Sequence, residues 1–583
     1  MTESSMTGVA SILQRARPSC VEGGMSAARG QPMIAGIRSF ERAVRNPLAA
    51  RTSAMHVVVS RLTRFFALCG MVLALQACAS LAEREKTPSY AIPAATGEEM
   101  SSLVPADLVP GSGSGFRPLA FSSYSMDARL TLIRHAKKSL DIQYYLLAND
   151  STGRAFLRAV RDAALRGVRV RILVDDLYTA SNDSLLQGMA AYPNVEVRLF
   201  NPFPAGRALT VTRWGLSLLD LSRLNHRMHN KLFIADGALA IAGGRNIADE
   251  YFFRSARGNF IDFDLLIAGD AVPQLAAGFD RYWNSRRVFT LDALEPDTRG
   301  AAKRRDEFEA ETLSAASLFP PMTGNMRDFL NFGPLSTDMD HPPLRLLRGD
   351  VKVVADDPEK VSGESESGLD PTTVTSHAIE AIDAARDDVL LASPYFVPGK
   401  AALARILKVR EHRVPVTVIT NTMASNDEPF VSAAYARYRR RLLEMGVQIY
   451  EVSPKILRTD KDFDDSFGAM LGTSTGRLHA KVMVIDHQTT IVGSMNLDFR
   501  SSRENTELGL FVDSPELAGD VTELVDELRS IGTYRMRLGP DKTVQWVDSQ
   551  GSEEHVFDAE PEVPLTTLFE VWLLSPFIDE DLL

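Results

Sequence analysis

Two stretches of the chain match in register 250 positions apart, and this constrains the fold more than any local feature. HNKLFIADGALAIAGGRN at 229–246 and HAKVMVIDHQTTIVGSMN at 479–496 share His229/His479, Lys231/Lys481, Asp236/Asp486, Gly243/Gly493 and Asn246/Asn496. Upstream of each lies an apolar, strand-like run, KKSLDIQYYLL at 137–147 and RDDVLLASPYFV at 386–397. Each run leads into an amphipathic helical stretch and a second buried strand, AFLRAVRDAALRGVRVRILVDDL at 155–177 and ALARILKVREHRVPVTVITN at 402–421. A repeat of this length implies an α/β protein of two equivalent halves. The expected division is a linker at 79–119, a first half at 120–290, an insertion and connector at 291–373 and a second half at 374–583. Gly, Ser, Pro and acidic residues in DDPEKVSGESESGLDPTT at 356–373 mark the connector.

Within each motif His and Lys stand at i and i+2, so an extended strand carries both on one face. Burying an imidazole beside an ammonium costs free energy unless something anionic meets them. Asp236 with Gly237 suits a hairpin turn, after which the return strand delivers Gly-Gly-x-Asn; the second copy reads Gly493-Ser494-Met495-Asn496. If the halves pack about a pseudo-twofold axis, His229, Lys231, His479 and Lys481 gather around one cleft suited to a phosphate. Gly244, Asn246, Ser494 and Asn496 are the expected phosphate contacts.

A phosphodiester gathers charge on its non-bridging oxygens during displacement, so two ammonium groups stabilise the transition state more than the ground state. A neutral imidazole can attack phosphorus while a protonated one passes its proton to the leaving alcohol. Which histidine attacks is left open. Carboxylates on the far ring nitrogens should orient the imidazoles. Aligning NTELGLFVDS at 505–514 with FIDFDLLIAGD at 260–270 nominates Glu507 for His479, and Asp264 or else Asp262 for His229. Asp236 and Asp486 join the catalytic set, although their turn positions suit a structural role equally well. This chemistry requires no cofactor and no metal.

The spacing H-x-K-x4-D-x6-G-[GS]-x-N is that of the HKD signature, and the chain resembles the phospholipase D superfamily from about Ala120 to its C-terminus. The resemblance implies a phosphohistidine mechanism, an α/β/α sandwich in each half and a cleft at the pseudo-dyad. Finer text is similar to bacterial cardiolipin synthases, nearest to the C-type branch: NHRMHNK at 225–231, GGRNIADEYF at 243–252, SPYFVPG at 393–399, GSMNLDFRS at 493–501 and the tail LLSPFIDEDLL. That similarity implies phospholipid substrates and phosphatidyl transfer to phosphatidylglycerol, from phosphatidylglycerol or phosphatidylethanolamine. A hydrolytic phospholipase D would use the same residues with water as acceptor, and a superfamily nuclease would need a basic groove. The net charge of -11 argues against nucleic acid as partner.

Ahead of the repeat, Arg61 and Arg64 precede an apolar run from Phe65 to Leu75 and then Leu75-Gln76-Ala77-Cys78. This tetrapeptide resembles a bacterial lipobox, which implies cleavage before Cys78, acylation of its thiol and a lipoprotein tethered to the cell envelope, facing the periplasm. A transmembrane anchor is the alternative, but the run falls short of the roughly 18–20 apolar residues that a span needs. Residues 1–54 read as a disordered leader or an upstream start. Only Cys20, Cys69 and Cys78 are present, so the chain beyond Cys78 holds no disulfide and no thiolate zinc site. A monomer is expected; whether a helper protein or which membrane is involved is not legible. Three further stretches mix aromatics with arginine and stay unassigned: 200–224, RYWNSRR at 281–287 and YARYRRR at 435–441.

Overall fold

The structure, a computed structural model, describes residues 86–574 apart from 96, 109–110, 204–220, 295–297, 321, 323–326, 363–369, 460–473 and 550–553. The leader and the lipobox-like segment therefore lie outside the described residues, as do most of the 200–224 stretch and the tail beyond 574.

Each half is built on three parallel strands with an antiparallel set on one side. In the first half Ser139–Tyr144, Arg169–Asp175 and Val195–Phe200 run parallel. Antiparallel to the first of them lies Leu232–Ala235, followed by Leu239–Gly243, Asp264–Gly269 and Ser114–Leu119. The second half repeats the order with Val389–Ala392, Val416–Asn421 and Gln448–Val452, then Val482–Ile485, Thr489–Gly493, Leu508–Asp513 and Leu347–Ala355. Ser114–Leu119 pairs antiparallel with Leu347–Ala355, Ser114 opposite Gly349, and fuses the halves into one 18-stranded sheet.

Helices cover both faces, so the inner strands are apolar throughout instead of alternating. Met483 and Ile485 enter one core while Val482 and Val484 enter another. That second core contains Leu265 and Ile267 of one half, Leu510 and Val512 of the other, and the helices Ala271–Asn284 and Pro515–Gly532. Each buried Leu or Ile there contributes roughly 1.5–3 kcal/mol.

Two segments depart from the expected division. Residues 86–119 do more than link. Ser114–Leu119 is a seam strand, and Ala91 N–H donates to both carboxylate oxygens of Asp280. Within 291–373, Leu347–Ala355 belongs to the second half's sheet and Phe308 of the helix Ala301–Thr312 is buried in the first half's core. The two strands hold equivalent places in their halves but do not stand 250 positions apart, which is why periodicity did not place them.

Candidate active site

Each histidine is delivered by a short segment that a polar side chain holds at the carboxyl end of a parallel strand. Asp175 closes the strand Arg169–Asp175; it receives the Met228 N–H at 2.9 Å and the Arg227 guanidinium at 2.6–2.8 Å. Asn421 closes Val416–Asn421 and brackets Leu478, accepting its N–H at 2.8 Å and donating to its carbonyl at 2.9 Å. His229 and His479 therefore emerge at the same edge of the sheet, outside the carboxyl ends of the strands, where open α/β sheets bind ligands. The two lysines precede the strands Leu232–Ala235 and Val482–Ile485 and do not project from a strand face, contrary to the sequence expectation.

The segments cross between halves. Thr475–Leu478, ahead of His479, pairs in parallel with Gly258–Ile261, and His479 N–H donates to Ile261 O at 2.7 Å. Reciprocally, His229 N–H donates to Thr506 O at 2.9 Å and Thr506 N–H to Arg227 O at 2.9 Å. The residue that follows each of these partners, Ile261 and Thr506, then lies beside the histidine of the opposite half. Glu507 accepts from His229 Nδ1 at 3.1–3.2 Å, and Asp262 from His479 Nδ1 at 2.6 Å. This reverses the sequence assignment of Glu507 to His479 and of Asp262 or Asp264 to His229. In-register alignment compares halves and is blind to which half supplies a neighbour. Asp264 touches neither imidazole; it binds Ser125 Oγ at 2.8 Å, Arg129 at 3.0 Å and Arg245 at 3.2 Å.

Burial sets the protonation of this cluster. It pushes His229 down to about 4, with Lys231 adding to the effect and Glu507 opposing it. His479 is lowered by burial and by Lys481, against Asp262. Although burial raises the Asp262 carboxyl, His479, Lys481 and Arg245 hold it down at about 2; Glu507 is held low in the same way by His229 and Lys231. Burial brings Lys481 to about 8 and Lys231 well below its usual value. Lys231 Nζ donates to His229 O at 2.6 Å, and Lys481 Nζ to His479 O at 2.5 Å, lying 3.0–3.2 Å from both nitrogens of that ring. The resting site thus holds neutral imidazoles, ready to attack, beside two buried lysines whose charged form burial disfavours until an anion joins them. Behind Asp262 lies an apolar pocket lined by Phe121, Phe263, Leu478 and Leu528 among others.

The other expected residues divide. Asn496 leaves its buried side-chain oxygen without a partner. Asn246 accepts from Leu146 N–H at 3.1 Å and donates to Tyr251 Oη at 2.8 Å, which leaves one amide hydrogen. Ser494 Oγ, expected on the phosphate, is committed to Glu507 instead, and Ser501 Oγ donates to the same carboxylate at 2.8 Å. Gly244 plays the matching part in the first half: a Cβ there would stand 2.0 Å from Asp262 Oδ1. The motif aspartates are not in the reacting group. Asp236 accepts the N–H groups of Lys137, Lys138 and Ser139 at 2.8–2.9 Å, and Asp486 those of Arg386, Asp387 and Asp388 at 2.7–3.1 Å. Each sits at positive φ in its hairpin turn and pins the loop before the first parallel strand.

Several neighbours escaped sequence reasoning. Tyr145 meets His229 edge-on at 5.0 Å, Tyr251 meets His479 likewise at 5.0 Å, and Phe260 packs on His479 at 4.8 Å. Tyr251 Oη lies 3.4 Å from His479 Nε2. Tyr145 and Tyr395 stand 250 apart, the motif offset, and that signal was available.

The family model described as "Cardiolipin synthase, PLD-like domain" matches residues 130–283 and 378–529. The chain belongs to the PLD-like family. Among its PLD-like relatives, cardiolipin synthase C of Escherichia coli strain K12 is 33% identical over 447 residues, 77% of this chain and 91% of the relative. A cardiolipin synthase of Staphylococcus aureus strain Mu50 is 26% identical over 398 residues, 68% of this chain and 63% of the relative. Of solved structures, phosphatidylserine synthase from Haemophilus influenzae Rd KW20 superposes with a TM-score of 0.51 at 14% identity, covering 82% of this chain and 94% of its own, which supports the shared fold.

Proposed function

We propose that this PLD-like protein moves a phosphatidyl group from one phospholipid to a hydroxyl of another, with phosphatidylglycerol as acceptor and phosphatidylglycerol or phosphatidylethanolamine as donor, forming cardiolipin. The observation that carries the reading is the pair of carboxylate-oriented imidazoles, each completed by the opposite half, beside the two buried lysines Lys231 and Lys481. Nε2 of one imidazole attacks phosphorus, and the other imidazole gives its proton to the departing alcohol oxygen. The phosphodiester supplies the negative charge that raises the second imidazole's affinity for that proton. The now neutral second imidazole then takes the proton of the acceptor hydroxyl, whose oxygen attacks phosphorus and releases the first. Lys231 and Lys481 meet the non-bridging oxygens, with Asn496 and the remaining hydrogen of Asn246 as further donors.

Processing before Cys78 and acylation of that residue would tether the protein to the bacterial envelope, facing the periplasm. Among the described residues no helix is long and apolar enough to cross a membrane. Wild type is expected to incorporate labelled fatty acid and Cys78→Ser to lose it; incorporation that persists in Cys78→Ser contradicts the anchor.

Vesicles of phosphatidylglycerol and phosphatidylethanolamine incubated with the protein are expected to accumulate cardiolipin, read by lipid mass spectrometry. His229→Ala and His479→Ala should each abolish it. Phosphatidic acid as sole product, even with glycerol added, would replace transfer by hydrolysis.

A further inference from the structure

The most apolar exposed surface among the described residues is the helix Leu565–Leu574, sequence LTTLFEVWLL. Leu565, Leu568, Phe569, Trp572 and Leu573 follow the spacing i, i+3, i+4, i+7, i+8 that ordinarily marks a helix's buried face. Here the stripe points outward, from 44% exposed at Leu568 to 83% at Leu565, with Trp572 at 71%. Val556 and Phe557 of the strand His555–Phe557 are exposed as well. The helix packs against Pro429–Glu444, whose Arg437, Arg440 and Arg441 are exposed, with Glu444 the acid that Arg440 and Arg441 share. An aromatic-bearing apolar stripe thus lies on a helix next to one that exposes guanidinium groups, with Glu444 and the helix's own Glu570 the exposed acids on the two.

Its position ties it to the cleft. Asn421, which brackets Leu478 ahead of His479, is two residues from Met423, whose N–H donates at 2.6 Å to Glu560 on the approach to the helix. Glu560 also holds Arg439 at 2.7–3.0 Å, and Glu562 accepts from Ser453 Oγ at 3.1 Å. The helix is thus fastened to the sheet edge at which the histidines emerge.

We infer that the helix Leu565–Leu574, with the exposed arginines of Pro429–Glu444, docks on an anionic lipid bilayer and seats the cleft mouth at the membrane surface; the inference rests on the lipid-substrate reading above. A helix of 10 residues cannot span a bilayer and lies in the interface, where Trp and Phe are favoured. The chain as a whole is acidic, at -11, so the local arginines give the approach its polarity toward anionic headgroups.

The test uses the full chain on vesicles of phosphatidylglycerol and phosphatidylethanolamine with brominated acyl chains, which quench tryptophan only at contact. Subtracting the Trp572→Phe spectrum isolates Trp572, whatever else holds the protein to the vesicle. A blue-shifted Trp572 quenched at least twofold, and less so on phosphatidylcholine vesicles or in Arg440→Glu/Arg441→Glu, is the expected result. A blue-shifted but unquenched Trp572 would mean that a segment of this chain or a second copy covers the stripe, and a solvent-like Trp572 would mean nothing does; either overturns the docking. Leu568→Gln/Trp572→Gln, with unchanged circular dichroism, should turn over vesicle phosphatidylglycerol at least fivefold more slowly while keeping its rate on a short-chain, monomeric analogue. Equal rates on vesicles overturn it. Wild-type inactivity on both substrates counts against phosphatidyl transfer and leaves the quenching result standing.

Discussion

Replacing Asp262 with Asn tests the crossed architecture directly, because it alters the first half and should be felt by the histidine of the second. The contact at stake is His479 Nδ1 to Asp262 Oδ2, 2.6 Å long and buried. Hydrogen bonds to charged groups are worth about 1.5–3 kcal/mol, and 1.36 kcal/mol corresponds to one pH unit in a titration midpoint. Loss of the charge should therefore lower the His479 midpoint by about one to two pH units, since Asp262 is one of the groups that raise it. Asn would also present an amide donor to Nδ1 in one of its two orientations, favouring the tautomer with the proton on Nε2, where attack or proton transfer must occur. Together these effects should cost about 10²–10⁴ in turnover, the range between outer-shell ligand mutations and a triad carboxylate replaced by its amide. The midpoints of His229 and His479 can be followed by NMR on histidine-labelled protein, assigned through His229→Ala and His479→Ala. If Asp262→Asn moves His229 and leaves His479 unchanged, the crossed pairing is wrong; so it is if Glu507→Gln moves His479 alone.

Gly244→Ala places a Cβ 2.0 Å from Asp262 Oδ1, so turnover should fall about tenfold or more with little change in vesicle binding. Ser494→Ala removes a donor from Glu507 and should lower turnover by about tenfold. Asp236→Ala unpairs three backbone N–H groups and should cost roughly 2–4 kcal/mol of stability by calorimetry, while the protein that remains folded stays active. A 10³-fold loss of turnover at unchanged melting temperature would instead place Asp236 in the chemistry. Lys481, lowered to about 8, is charged below that pH and neutral above it, so kcat/KM should decline as pH rises through about 8; a profile flat to pH 10 would refute its role on the phosphate.

Repetition made the halves legible. His229 with His479 and Lys231 with Lys481 could be named from one alignment offset, and with them the need for an anion. The same offset concealed the partners. Alignment names Glu507, and Asp264 ahead of Asp262, as the orienting carboxylates and gives them to the wrong histidines, because a duplicated chain supplies each residue type twice and alignment cannot say which copy is the neighbour. Asp236 and Asp486 sat in the motif and so drew chemistry, yet their carboxylates spend themselves on backbone N–H groups.

The sequence by itself determined the duplication, the residue types of the site and, through the 3.6-residue spacing of Leu565, Leu568, Phe569, Trp572 and Leu573, the existence of an apolar stripe. Tertiary structure alone decided that the segments ahead of His229 and His479 pair across the halves, so that each imidazole is oriented by the other half. It also decided that the stripe faces outward. Periodicity records which residues share a face and which residues recur; what lies opposite that face, and which copy supplies the partner, is settled only when distant segments compete for the same hydrogen bonds and the same buried area.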